Sequence, residues 1–273
     1  MRFTLVMTRK RTLSNKGIEL FNIALTEKQN KTCMKSLIKK IFTSDFDEKL
    51  KLSLEKFRKS SYRLYSYLNQ EEVHLIPKYF NNAVVNLVYL IMVNDDNVNN
   101  INQIKKNISF YFSLANQAFK SNDHNTAILI KAALDNMAIK RLNIKYTKSQ
   151  KRIIKKFEEN YGTFMNCNSV HLKRILENSD LEFLPSVAIL LMHYNRTKEY
   201  YNCYTKLGRL PDDLKDKNEQ LKKIVVSYYN KYKDMNDNLQ DLYIKEPADL
   251  EFMNYFSKTS NTVNLFEISR MIR

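Results

Sequence analysis

The sequence predicts an all-α fold. Only three glycines and four prolines interrupt 273 residues. So few chain breakers favour helices joined by short polar connections, and doubly wound or all-β folds need more turn glycines. Apolar residues recur at helical spacing through most of the chain. With 44% hydrophobic residues, the chain has enough apolar surface for one large core or two small ones.

The elements follow in order. Residues 1–50 form a basic, weakly patterned segment, packed on the main domain or partly disordered, with a short amphipathic helix over Cys33–Phe42. The main domain then covers 51–273. Leu54, Phe57, Leu64, Tyr65 and Leu68 mark the inner stripe of its first helix. Pro77 precedes an almost wholly apolar helix, Phe80–Val93, expected at the centre of the core. Asp95–Asn100 reads as a polar turn. Ile101–Lys120 is amphipathic through Ile104, Ile108, Phe112 and Ala115. Asn122, Asp123 and Asn125 offer caps for a helix over Thr126–Leu142. Thr147–Tyr161 follows, stopped by Gly162, then a short helix over Ser169–Leu176. Pro185 opens an apolar helix from Ser186 to about Thr197, and Lys198–Leu207 continues as a polar, tyrosine-rich segment. Gly208 and Pro211 break the chain before a long basic helix, Leu214–Met235. Asp249–Phe256 and Val263–Met271 complete the series.

The formal charge of +16, from 45 Lys and Arg against 29 Asp and Glu, draws polyanions, anionic membranes and acidic partners. An Asn-, Lys-, Ile- and Tyr-rich composition of the kind AT-rich genomes favour accounts for part of it. Basic stretches that mix lysine with aromatics, KNISFYF and KKIVVSYYNKYK, place the aromatics on the inner stripe and the lysines outside. That is the pattern of an ordinary soluble helix, and it argues against nucleic acid as the partner.

Covalent chemistry finds little support. Gly17, Gly162 and Gly208 are isolated, so no phosphate-cradling loop is present. His74, His124, His171 and His193 lack metal-ligand spacing and read as surface or partner-contact residues. Cys33, Cys167 and Cys203 have no paired spacing, which fits a reducing cytoplasmic setting. No apolar run is long enough to span a bilayer. No metal or cofactor is expected.

Six stretches carry a family resemblance, in order along the chain. LEKFRKSSYRLYSYLNQEEV covers Leu54–Val73. Phe80-Asn81 begins the apolar helix. Asn122–Thr126 forms an Asn-rich turn. AILIKAALDNMAIKRL ends in Ile139-Lys140-Arg141-Leu142. FLPSVAILLMHYNRTKEYYN covers Phe183–Asn202. DLYIKEP and LFEISRMI lie near the end. Together they resemble the catalytic domain of Ras-family guanine nucleotide exchange factors, the RasGEF domain, over roughly 51–273.

That resemblance implies a helical domain with a protruding helical hairpin, entered through Pro185. It implies a Ras-superfamily small GTPase as partner, GDP-bound or nucleotide-free. The activity is exchange of GDP for GTP without covalent chemistry, so the chain is not expected to be an enzyme in the bond-breaking sense. Such factors bind the nucleotide-free GTPase better than the loaded one, which lowers the barrier to release. The hairpin would displace the loop that holds Mg²⁺, and a carboxylate on it would compete for the phosphate-binding groups. In this sequence that carboxylate is Glu199. Asn195 lies one turn earlier on the same face, where the family offers an apolar residue; Arg196 and His193 line the edge. Ile128, Asp135, Lys140 and Met192 fall where the family meets the GTPase.

The minimal architecture implies a bacterial effector acting on GTPase signalling in a host cytosol, held at anionic membranes by its charge. The alternative is a GTPase-binding or scaffold module of the same fold with weak or no exchange activity, which Asn195 favours.

Overall fold

A computed structural model of the chain describes residues 31–69, 71, 73–94, 97–162, 170–177, 182–243 and 265–272. Most of the predicted basic N-terminal segment and the predicted helix Asp249–Phe256 lie outside the described residues. The described chain is predominantly helical, as predicted, and by contacts it divides into two units, Met1–Glu55 and Lys56–Arg273. The boundary falls within the first helix, α1 (Lys31–Ser66). The short helix expected over Cys33–Phe42 is the opening of this longer one.

In the second unit, α2 (Ile76–Met92) carries Pro77 in its first turn, where the missing N–H costs nothing. A two-residue antiparallel pair, β1 (Val93–Asn94) and β2 (Asn97–Val98), reverses the chain. Asn99 and Asn107 then donate their side-chain amides to the Ile91 carbonyl, satisfying the end of α2. α3 (Ile101–Lys120) starts on the Asn100 cap, whose side chain accepts from Gln103 N–H.

The helix expected over Thr126–Leu142 is two helices. α4 (His124–Leu134) ends at Asp135, and α5 (Met137–Lys140) starts on Asn136, whose Oδ1 accepts from Ala138 N–H at 2.9 Å. The Asn136 side chain offered the backbone a competing partner, and the helix broke there. α6 (Lys148–Tyr161) begins with a capping box between Thr147 and Gln150 and stops at Gly162, φ +57°. α7 (Val170–Glu177), α8 (Val187–Lys206), α9 (Asp212–Tyr243) and α10 (Leu265–Met271) follow.

α4 is buried along most of its length between α2 and α3. α8 packs on α2, α7 and α9, and α10 on α2 and α5. One apolar cluster gathers Tyr65, Leu68, Ile76, Ile175, Leu190, Leu221, Tyr228 and Tyr232 around the start of α8. Its tyrosines stack: Tyr65 lies 5.1 Å from both Tyr228 and Tyr232. Buried phenols need acceptors. The Tyr65 hydroxyl donates to the Pro185 carbonyl and the Tyr228 hydroxyl to that of Phe183.

The same segment, Phe183 to Val187, is tied on its other side to the turn before α4. Asp123 and Leu184 form a parallel bridge. Leu184 N–H donates to the Asn122 carbonyl at 2.9 Å, and His124 N–H donates back to the Leu184 carbonyl at 2.9 Å. Asn125 spans the junction: its Oδ1 accepts from Val187 N–H at 3.1 Å and its Nδ2 donates to Ser61 Oγ at 3.0 Å. His171 Nε2 accepts from Ser186 N–H at 3.2 Å. Asn122 supplies the left-handed residue of the turn, φ +58°.

Asp123, wholly buried, accepts from Thr126 N–H and Thr126 Oγ1 at 3.0 and 2.8 Å. Burial pushes its carboxyl up to about 6 against the pull of those hydrogen bonds and of Arg58. His124 and His171, read from sequence as surface or partner-contact residues, are buried instead. Their rings meet Phe119, Tyr161 and Phe183 within one aromatic nest.

Two outcomes are expected. Asn125→Ala strands the Val187 N–H in the interior and should lower stability by about 2–4 kcal/mol in urea unfolding. The second concerns pH. Burial, then Arg174 and Lys156, lower His124 from 6.5 to about 4. Between those values the unfolded chain holds a proton that the folded chain lacks, so stability falls as pH drops through that window. His171 and His193 shift in the same direction. Asp123 opposes them, because its raised pKa makes its contribution largest below 3.8 and lost as pH rises through about 6. Three histidines outweigh one carboxyl, so urea unfolding should show lower stability at pH 5 than at pH 7, and His124→Gln should recover about 2 kcal/mol of the loss.

Candidate functional site

α8 begins as part of the core. Ser186 caps it, its Oγ accepting from Ile189 N–H, and Val187, Ile189, Leu190, Leu191, His193 and Thr197 face inward. The inner stripe ends at Thr197. From Lys198 to Lys206 the helix continues with every residue exposed except the half-buried Tyr201. The tyrosine-rich segment predicted after Thr197 is thus helical and prolongs α8.

The second arm is α9, which packs along α8. Its first fully buried apolar residue is Leu221, followed by Val225, Tyr228 and Tyr232 at helical spacing. The two helices therefore share a buried root and a solvent-exposed free end. Lys198–Lys206 is nine residues long, roughly 13 Å of helix.

The turn between the arms is fixed by its own hydrogen bonds. Gly208 N–H donates to the Thr205 carbonyl at 3.0 Å and Arg209 N–H to that of Tyr204 at 3.1 Å. That pair of bonds is a Schellman motif, and it requires the left-handed backbone that Gly208 adopts, φ +65°. Pro211 then prevents the helix from resuming before Asp212.

Asn195 and Glu199, one turn apart, are both exposed on α8, and Arg196 is half-buried beside them. Arg196 Nε and Nη2 donate to the Tyr200 hydroxyl, each at 3.2 Å, with the guanidinium 5.6 Å from the ring centre. Tyr204 and Leu207 continue that face outward, Leu207 being 69% exposed. An aromatic-apolar stripe thus runs beside the Asn195–Glu199 pair, at spacings of four, four and three residues from Arg196.

His193 does not line the edge of the hairpin. It is 3% exposed, because it shares the inner face with Leu190 and Thr197. Burial, then Lys217 and Arg196, hold it down to about 4, so it stays neutral near pH 7. Met192 is half-buried.

The expected partner-contact residues on the other elements separate into two kinds. Ile128 is 1% exposed and belongs to the core, since α4 is covered on several sides. Asp135 and Lys140 are exposed at the α4–α5 break. Lys131 Nζ and Lys140 Nζ lie 2.6 and 3.2 Å from the two Asp135 oxygens. Partial burial works against that carboxylate, but the two ammonium groups outweigh it and hold its pKa below the usual value.

The roles of Tyr65, Asn125, His171 and Tyr228 in fixing the root of the hairpin are not legible in the sequence, although Tyr65 and Tyr228 fall on inner stripes and Asn125 reads as a cap candidate. Among the described residues no group of His, Cys, Asp and Glu is arranged to hold a metal ion, and no helix is long and apolar enough to cross a membrane. Cys203 is a free, exposed thiol. No family model matches the chain, and neither curated proteins nor solved structures yield a match.

Gly208 gives a direct check on the turn. A Cβ there meets nothing within 4 Å, so Gly208→Ala acts through backbone strain alone. Thermal unfolding should report a loss of about 1 kcal/mol.

Proposed function

We propose that this chain is a guanine nucleotide exchange factor for a Ras-superfamily small GTPase, working through the free end of the α8–α9 hairpin. One observation carries the proposal. The helix entered through Pro185 is anchored in the core up to Thr197 and then runs on with its side chains in solvent. The ordered series of sequence landmarks that resembles the RasGEF domain supports the same reading.

A rigid arm is what such a mechanism needs. The exchange factor must bind the open, nucleotide-free GTPase more tightly than the closed one, and the differential sets the acceleration. Glu199 presents a carboxylate toward groups that otherwise hold nucleotide phosphates. Asn195 and Arg196 flank it. Tyr200, Tyr204 and Leu207 supply contact area at low conformational cost. His193 acts from inside, filling the seam between the arms, and the half-buried Met192 is a contact for the partner. Asp135 and Lys140 offer a second, paired contact at the α4–α5 break.

A GTPase-binding or scaffold module without exchange is the second reading. The exposure of Asn195, a polar side chain where an apolar wedge is expected, favours it.

Release of a fluorescent guanine nucleotide from a panel of purified small GTPases separates the two. Exchange is expected to accelerate at least tenfold on one member, and Asn195→Ala with Glu199→Ala should abolish the effect. Binding without acceleration on every member supports the scaffold, and neither binding nor acceleration refutes both.

A further inference from the structure

Surface lysines usually settle beside a carboxylate one helical turn away. Lys155 and Lys173 do so, each with Nζ 3.7 Å from a carboxylate oxygen, on Glu159 and Glu177 respectively. Lys156 points elsewhere. Its ammonium stands 3.9 Å from the centre of the Phe119 ring, a cation–π contact that holds the charge in one place. Lys120 follows Phe119 at the end of α3. Phe119 also meets His124 at 5.0 Å and Tyr161 at 6.0 Å, and Tyr161 meets His171 at 5.2 Å. Arg174 lies one turn beyond His171 on α7.

Three helices that each carry one of these cations are thus joined around one aromatic floor, on which Lys156 itself stands. Among the described residues none of the three cations makes an ion pair with a carboxylate. Their proximity registers electrostatically: Lys156 is held below the usual lysine value by burial, then by Lys120 and Arg174. Arg174 likewise helps depress both His124 and His171. Like charges gathered this way oppose folding unless an anion joins them.

We propose that Lys120, Lys156 and Arg174 form a binding site for a multiply charged phosphate group, carried by a phosphoinositide headgroup or by a soluble polyphosphate. A phosphate dianion presents three strong acceptor oxygens to three donors. Arg174 supplies a planar fork for bidentate contact. Lys156 is pre-positioned over Phe119, which reduces the ordering cost of binding. Lys120, exposed at a helix C-terminus, closes over the bound anion. The site is built on α3, α6 and α7, apart from the hairpin, and stands whether or not the chain accelerates nucleotide exchange.

The test uses the full chain in calorimetric titrations with inorganic pyrophosphate and inositol hexakisphosphate, and in flotation on phosphatidylcholine vesicles with and without phosphatidylinositol bisphosphate. Lys156→Met, Arg174→Gln and Lys120→Gln are each expected to weaken binding about tenfold, and their combination to abolish it. A control variant, Lys148→Gln with Lys151→Gln and Arg152→Gln, removes as many charges from the exposed face of α6 and should leave affinity within about threefold. Vesicle binding lost in the triple variant identifies a lipid source. Binding of the soluble anions alone identifies a soluble one. Equal losses in the triple and control variants reduce the effect to net charge and overturn the proposal, as does failure of every probe to bind the native chain. If the triple variant does not fold, Lys120→Gln, altered at an exposed position, takes its place: a tenfold loss supports the site, and unchanged affinity overturns it.

Discussion

The second unit of this chain depends on the pairing of two irregular segments, the turn Asn122–Thr126 and the entry Phe183–Val187. Buried backbone outside helices has no partner of its own and must find one. Here each segment supplies the other. Leu184 donates to the Asn122 carbonyl and its own carbonyl accepts from His124, Asn125 accepts from Val187, and His171 accepts from Ser186. Two tyrosine hydroxyls satisfy the Pro185 and Phe183 carbonyls from the opposite side. In a low-dielectric interior a network of this kind is costly to leave half-made, so within the second unit it fixes one arrangement of the last turns of α1 with α4, α7, α8 and α9.

The constraint bears on the hairpin. Because Ser186 and Val187 are held by side chains from other elements, the direction of α8 is set at its first turn. A helix is stiff over 20 residues, so what is fixed at Val187 carries through to Lys206. The apolar stripes of both arms end where the body ends, and beyond Thr197 polar and aromatic residues meet solvent. In the proposed exchange reading this separates two demands: the root provides stability, and the free end provides recognition.

Much of the helical framework was legible in the sequence. Thr147 and Gly162 bracket α6 as expected, and Pro185 with Ser186 marks the start of α8. Two differences have separate causes. The run from Thr126 to Leu142 kept its apolar period across Asp135 and Asn136, so the break lay in side-chain capping rather than in pattern. The stretch after Thr197 lost its period while staying helical, because a helix needs only its own backbone bonds and an adjacent arm, not a buried face. Single buried polar residues left no periodic trace. His124, His171, His193 and Asn125 acquire their roles from segments distant in sequence, and so does the cationic gathering at Lys120, Lys156 and Arg174.

The histidines behind the hairpin root remain neutral at physiological pH through burial, and the cations nearby press in the same direction. The interior that orients α8 is therefore coupled to the charge around α6 and α7. Hydrogen exchange by mass spectrometry, on the chain alone and saturated with a nucleotide-free small GTPase, tests the central claim most directly. The account predicts new protection over the free end, Asn195 to Lys217, and at the α4–α5 break, with amides of Asn122–Thr126 and Phe183–Val187 slow in both states. Unchanged exchange across Asn195–Lys217 on complex formation, or fast exchange at the root in the free chain, would contradict it.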